Sequence, residues 1–164
     1  MNSSPLISNP YSIQGLDVEP FQRYFGMPEA ELKRHHIVRM TADAPVGYPC
    51  RVLLADASPG DTLLLINHEY QPIETPYRGR HAIFVNEAAT APARFENEVP
   101  AVLSVRKHLS LRAFDAADMM IDADVVGGGE VAALIQRLFG NPEVRYIHAH
   151  NAGRGCFAAR IDRA

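Results

Sequence analysis

Between Gly127-Gly128-Gly129 and Gly140, the apolar residues Val131, Leu134, Ile135 and Leu138 recur at i, i+3, i+4 and i+7. That spacing places them along one face of an α-helix over residues 130–139. Gly140 stops the helix and Pro142 follows, where a helix has already ended. Residues 119–126 before the glycines and 144–151 after Pro142 read as strands. A strand, a helix and a strand in that order predict one parallel crossover, because antiparallel neighbours need only a short turn. The apolar face of the helix then has to lie on a sheet.

The other apolar runs are of strand length. Residues 62–67 hold Leu63, Leu64, Leu65 and Ile66 in a row, and residues 81–86 hold Ile83, Phe84 and Val85. Unbroken runs of this kind predict burial on both faces. Residues 37–41 alternate, residues 51–55 read as a short apolar strand, and Ser58-Pro59-Gly60-Asp61 has the chemistry of a turn. Residues 109–114 and 156–161 complete the set. Short connections predict mostly antiparallel pairing, with residues 51–86 supplying consecutive strands of one sheet.

Two short helices precede these strands. Residues 17–25 carry the stripe Val18, Phe21, Tyr24 and Phe25, with Pro20 tolerable in the first turn. Residues 27–34 place Pro28, Glu29 and Glu31 ahead of Lys33 and Arg34, the charge order a helix dipole favours. The expected class is α+β: a mainly antiparallel sheet with one C-terminal strand-helix-strand crossover and short N-terminal helices. Residues 1–15, rich in Ser, Asn and Pro, are expected to form an irregular arm. Residues 16–164 are expected to form one domain, as the length of 164 residues favours.

Charge narrows the function classes. The net charge is −3, and basic residues are interleaved with acidic ones. No basic stripe is available to neutralise phosphates, so nucleic acid is not an expected partner. No apolar run reaches the length of a membrane span. Residues 1–10 lack the basic start and long apolar stretch of a secretory signal, so the cytoplasm is the expected location. Cys50 and Cys156 are too few for a disulfide framework; they could pair with each other, but a reducing compartment favours two free thiols, which is the expectation.

Several short motifs occur in a characteristic order: Gly47-Tyr48-Pro49-Cys50-Arg51, Asn67-His68-Glu69-Tyr70-Gln71-Pro72, Pro76-Tyr77-Arg78, Ile83-Phe84-Val85, Asn151-Ala152 and Gly155-Cys156. In these the chain resembles an uncharacterised bacterial family called domain of unknown function 1203. The resemblance covers nearly everything after the N-terminal arm. It implies a small stand-alone bacterial protein and assigns neither an activity nor a functional residue.

Three groups of residues have chemistry to offer. His148 and His150 are two apart on an expected strand and so share a face, where two imidazoles can begin a metal site. Further ligands could come from His68, His81, Asp122 or Asp124. Cys156 follows a Gly-rich turn, and with His150 as base and Asn151 as orienting group it would form a Cys-His-Asn nucleophile. Register decides that arrangement. A three-residue loop over 152–154 puts Cys156 on the face of His150, whereas a four-residue loop over 152–155 puts it opposite Asn151 and away from both histidines. The third group is an anion pocket of Arg51, Arg78, Arg80 and Arg154 with His68, Tyr70 and Tyr77, since planar guanidinium groups suit carboxylate or phosphate oxygens. Surface arginines paired with Glu69, Glu74 and Asp56 are the plainer alternative.

The sequence does not identify a cofactor. The glycine triplet lacks the Lys-Ser or Lys-Thr of a phosphate loop, and Asp118, Asp122 and Asp124 do not match a calcium loop. Because no catalytic motif is complete, the residues favour a binding module for a small anionic metabolite. The alternatives are a Cys/His-dependent hydrolase or transferase drawing on His68, Tyr77, Arg78, His148, His150, Asn151 and Cys156, a His-based metal-binding protein, and an interaction protein.

Overall fold

The amphipathic stretch after the glycine triplet is a helix resting on a sheet. In the computed structural model, which describes residues 8–164, a short 3-10 turn over Gly128–Glu130 leads into the helix Val131–Phe139. Its buried residues Val131, Leu134, Ile135 and Leu138 pack with Leu111, Ala113, Ile147, Ala149 and Ile161 of the sheet beneath.

In chain order the elements are β1 (Tyr11–Gln14), α1 (Glu19–Gln22), α2 (Glu29–Arg34), β2 (Val38–Thr41), β3 (Pro49–Cys50), β4 (Ala55–Asp56), β5 (Thr62–Gln71), β6 (Gly79–Asn86) and β7 (Arg94–Glu96). Then come α3 (Ala101–Ser104), β8 (Leu109–Phe114), β9 (Met120–Val126), α4 (Val131–Phe139), β10 (Tyr146–Asn151) and β11 (Phe157–Arg163). The class is α+β, with short helices and mostly antiparallel strands. The strands form two sheets rather than one: a six-stranded sheet in the order β7-β1-β11-β10-β8-β9 and a five-stranded sheet in the order β2-β5-β6-β3-β4. Among the described residues the only parallel pair is β3 with β6. The expected crossover is present as β9-α4-β10. Both strands run antiparallel to β8, which lies between them, so they are parallel to each other.

Each sheet has its own apolar core. The second core sets Phe21, Tyr24 and Leu32, from in and around α1 and α2, against Leu64, Ile66, Ile83 and Val85 of β5 and β6. Both short N-terminal helices therefore exist to cover the five-stranded sheet.

Three local expectations are corrected. The irregular arm ends sooner than expected, because Tyr11–Gln14 is a strand between β7 and β11 with Tyr11 and Ile13 buried. The remainder of that arm before residue 8 lies outside the described residues. Residues 51–54 are not a strand, and Ala55 already belongs to β4. Residues 51–54 form a turn closed by the Leu54 N–H, which donates to the Cys50 carbonyl at 3.0 Å, with Leu54 at φ 49°. The turn serves both cores: Val52 packs in one and Leu54 in the other. Finally, β5 and β6 extend into the expected long loop of residues 68–80, with an irregularity between His68 and Gln71, and leave only residues 72–78 as the connection.

The two sheets are tied at this turn. Gly15 N–H donates to the Ala93 carbonyl at 2.8 Å, and Leu16 N–H donates to the Arg51 carbonyl at 2.9 Å. A Cβ on Gly15 would stand 1.9 Å from the Val52 carbonyl oxygen, so only glycine allows this approach.

Candidate functional site

The β10–β11 hairpin fixes the register that sequence left open. Asn151 N–H donates to the Cys156 carbonyl at 2.9 Å, and Gly155 N–H donates to the Asn151 carbonyl at 2.7 Å. The loop is therefore residues 152–155, and Cys156 stands opposite Asn151. Gly155, at φ 76°, supplies the left-handed conformation that closes it. His150 pairs with Phe157 instead, and the register then shifts so that Ala149 meets Ala159. Alternation along β10 sends Asn151 and His150 to opposite faces.

On the Asn151 side the Cys156 sulfur receives two donors. Asn151 Nδ2 lies at 3.3 Å and Arg51 Nη2 at 3.3 Å. Arg51 is held firmly: its Nε–H donates to the Phe157 carbonyl at 2.7 Å and its Nη1 to the Pro49 carbonyl. Only 3% of Arg51 is exposed. Burial pushes its guanidinium below the ordinary value, with the sulfurs of Cys156 and Cys50 opposing that shift. Among the described residues no carboxylate pairs with it.

These residues floor a cleft of about 630 Å³. One wall is Leu65 with His81, Ala82 and Phe84, where β3 pairs with β6 only at Phe84. A second wall is Arg106, Lys107 and His108, just before β8. The hairpin loop adds Gly153 and Arg154. Four cations and two imidazoles thus line the cleft, and no Asp or Glu does. Arg106 is partly engaged, donating through Nη2 to both Asp56 carboxylate oxygens at 3.2 and 3.1 Å. Lys107 and Arg154 are exposed and make no ion pair among the described residues.

The opposite side of the hairpin is sealed. His148 and His150 are each 1% exposed. Tyr70 reaches over from β5, stacking on Phe157 at 5.3 Å and meeting His150 edge-on at 5.0 Å, while His148 lies 5.1 Å from Phe157. Burial pushes His148 down to about 3, with His150, Arg160 and Arg112 adding to it. Burial likewise pushes His150 down to about 4, with Arg112 adding, although its bond to Gly155 opposes the shift. Both imidazoles are neutral at ordinary pH. His150 Nδ1 lies 3.1 Å from the Gly155 carbonyl, which can only accept, so that nitrogen carries the proton. His148 Nδ1 has no partner. Beside them the Tyr146 hydroxyl accepts from Gln71 Nε2 at 2.8 Å and donates to Asp118 Oδ1 at 2.8 Å. Burial and the Asp118 bond push that phenol up to about 12.

The structure therefore separates groups that the sequence placed together. Asn151 and Cys156 meet, but His150 faces away and does not bond the sulfur, so the Cys-His-Asn arrangement is not assembled. His148 and His150 share a face, yet no group of three or more His, Cys, Asp or Glu suited to a metal occurs among the described residues. Asp122 and Asp124 pair with Arg137 instead. Of the expected anion-binding set, Arg51 and Arg154 line the cleft. His68 packs against Phe21 and is pushed below its ordinary value, first by burial. Tyr70 belongs to the sealed side, Tyr77 lies against Phe114, and Arg78 and Arg80 pair with Glu69. Arg106, Lys107 and His108 were missed. Their signal was available as three consecutive basic or imidazole side chains entering a strand.

The sequence profile of a family described as a protein of unknown function (DUF1203) matches residues 47–163, which includes the whole lining of the cleft. No curated protein and no solved structure matches the chain.

Proposed function

We propose, for a chain that belongs to the DUF1203 family of proteins of unknown function, that the cleft binds a small organic anion. The observation that carries this reading is Arg51, a buried guanidinium without a carboxylate partner, at the floor of a cleft lined by cations and by no acid. Burying an unpaired charge is costly, and an arginine does not shed its proton to escape that cost. A bound anion supplies the missing charge. Arg154 and Lys107 offer donors at the rim, while Leu65, Ala82 and Phe84 offer an apolar wall for the body of the ligand. The volume falls within the range of about 300–1,000 Å³ typical of small-molecule sites. Both cysteines are free thiols, which supports a reducing, cytoplasmic setting. No described helix is long and apolar enough to cross a membrane.

Calorimetric titration at low salt tests the reading with benzoate and phenyl phosphate against neutral benzyl alcohol. The anions are expected to bind, more weakly as salt rises and more weakly to Lys107→Ala/Arg154→Ala. Equal binding of benzyl alcohol, or an affinity unaffected by the double substitution, would sink it.

A further inference from the structure

The cleft contains a group that anion binding alone does not use. Cys156 is 9% exposed and is one of the residues that line the cleft. Two N–H donors converge on that sulfur, from Arg51 Nη2 and Asn151 Nδ2, each at 3.3 Å. A neutral thiol is a weak acceptor, whereas an anionic sulfur accepts well and is the attacking form. The donors are fixed beforehand. Arg51 is anchored on two main-chain carbonyls, and the Asn151 backbone is locked to Gly155 and Cys156. Cys50 provides the contrast: it is 1% exposed, receives only backbone N–H groups from Leu53 and Asn86, and does not line the cleft.

We propose that Cys156 is a nucleophile toward small organic acids that carry a leaving group on an electrophilic carbon, with Arg51 and Asn151 as its positioning residues. The inference rests on the anion-binding reading, because Lys107 and Arg154 are what select the acid. In the step itself the thiol proton passes to solvent and the sulfur electron pair forms the S–C bond. The bond from carbon to the leaving group breaks, and the leaving group departs with that electron pair. No oxidant or second reactant enters.

The test uses Cys50→Ser protein and compares alkylation of Cys156 by iodoacetate, an anion, with that by neutral iodoacetamide; N-acetylcysteine serves as the free-thiol reference. Cys156 is expected to favour iodoacetate over iodoacetamide more than the reference does, and benzoate is expected to protect it. Lys107→Ala/Arg154→Ala should lower the iodoacetate rate more than the iodoacetamide rate. Asn151→Leu is close in size and removes the donor without adding a charge, so both reagents should slow by about tenfold, which corresponds to about 1.4 kcal/mol. Arg51→Lys should slow both as well. If Cys156 stays inert until the protein unfolds while benzoate still binds, the nucleophile is overturned and the binding reading stands. A rate ratio equal to the free thiol, with no binding of benzoate, overturns the binding reading and the acidic substrate class together. An Asn151→Leu protein that reacts at the parent rate overturns the positioning role.

Discussion

The two sides of the β10–β11 hairpin bury polar groups to the same depth and treat them in opposite ways. Arg51 and His148 are 3% and 1% exposed. On the sealed side the imidazoles give up their charge, because histidine can become neutral within the ordinary pH range when burial disfavours the cation. They then pack as aromatic rings among Tyr70, Phe114 and Phe157, and His148 Nδ1 is left with no partner. On the open side Arg51 stays a cation, and carbonyl oxygens and a sulfur are arranged around it. A buried residue that can discharge becomes packing. A buried residue that cannot discharge keeps its charge and has to be met by dipoles or a counter-ion, and that is the ground of the anion site proposed at Arg51. The more conspicuous motif, His-x-His, therefore belongs to the architecture, and the plainer Cys-Arg of residues 50 and 51 leads to the site.

The contrast breaks first at Phe157. Its ring is 2% exposed and stacks on Tyr70 while touching both buried histidines. Phe157→Ala is expected to cost about 3–5 kcal/mol of stability, read by urea denaturation. The bond to Arg51 comes from the Phe157 main chain and survives the substitution. Binding of benzoate by the folded protein should therefore change little. Loss of binding at a temperature where the variant remains folded would mean that the sealed side shapes the cleft.

A smaller effect, reversible with pH, separates the two sides by titration. In the unfolded chain an imidazole titrates near 6.5, whereas His148 and His150 are pushed down to about 3 and about 4 in the fold. The unfolded state therefore takes up protons first as the pH falls. The stability is fully present above about pH 6.5 and declines toward pH 4, by up to about 1.4 kcal/mol per pH unit for each histidine. Denaturation midpoints measured from pH 7 to pH 4 should show this acid limb. His148→Phe, which keeps an aromatic ring in place and removes one titrating group, should make the limb shallower. An unchanged limb would place the acid sensitivity elsewhere.

How much of this was legible in sequence depends on how local each signal is. The helix α4 was visible because its period and its flanking glycines and proline all lie within residues 127–142. The strand β8 was visible from its alternation. By contrast β1 has four residues, and nothing within Tyr11–Gln14 announces that β7 and β11 will flank it. Residues 51–55 looked like a strand because Val52 and Leu54 are both apolar and two apart. They are apolar for different cores, which only the arrangement of the two sheets explains. The same limit governs the site. Arg51, Asn151, Arg154 and Cys156 were each conspicuous, but a three- and a four-residue loop fit the glycines equally well, so the side on which Cys156 falls was not legible. Nor was the meeting of Tyr70 with His148 and His150, which joins residues of the two sheets far apart in the chain. Arg106-Lys107-His108 could have been noticed, yet these residues share a cleft with Arg154 only because the fold brings them together.

The smallest expected effect has the opposite sign to the others and tests whether charge in the cleft is the controlling quantity. Among the described residues Asp56 is the one carboxylate that pairs with a cation of the cleft lining, through Arg106. Asp56→Asn preserves the side-chain shape and its ability to accept from the Gly47 N–H, now at 3.2 Å. It removes the negative charge that competes for Arg106. The lost ion pair is partly exposed and should cost about 1 kcal/mol of stability or less. Benzoate, however, should bind more tightly, by about fivefold, which corresponds to about 1 kcal/mol of repulsion removed near the protein surface. The gain should shrink as salt is added. A substitution that weakens the fold while strengthening the ligand is hard to attribute to general loosening, so the paired measurement isolates the electrostatic contribution. Unchanged or weaker binding in Asp56→Asn would remove Arg106 from the site and leave Arg51, Lys107 and Arg154 to account for the anion alone.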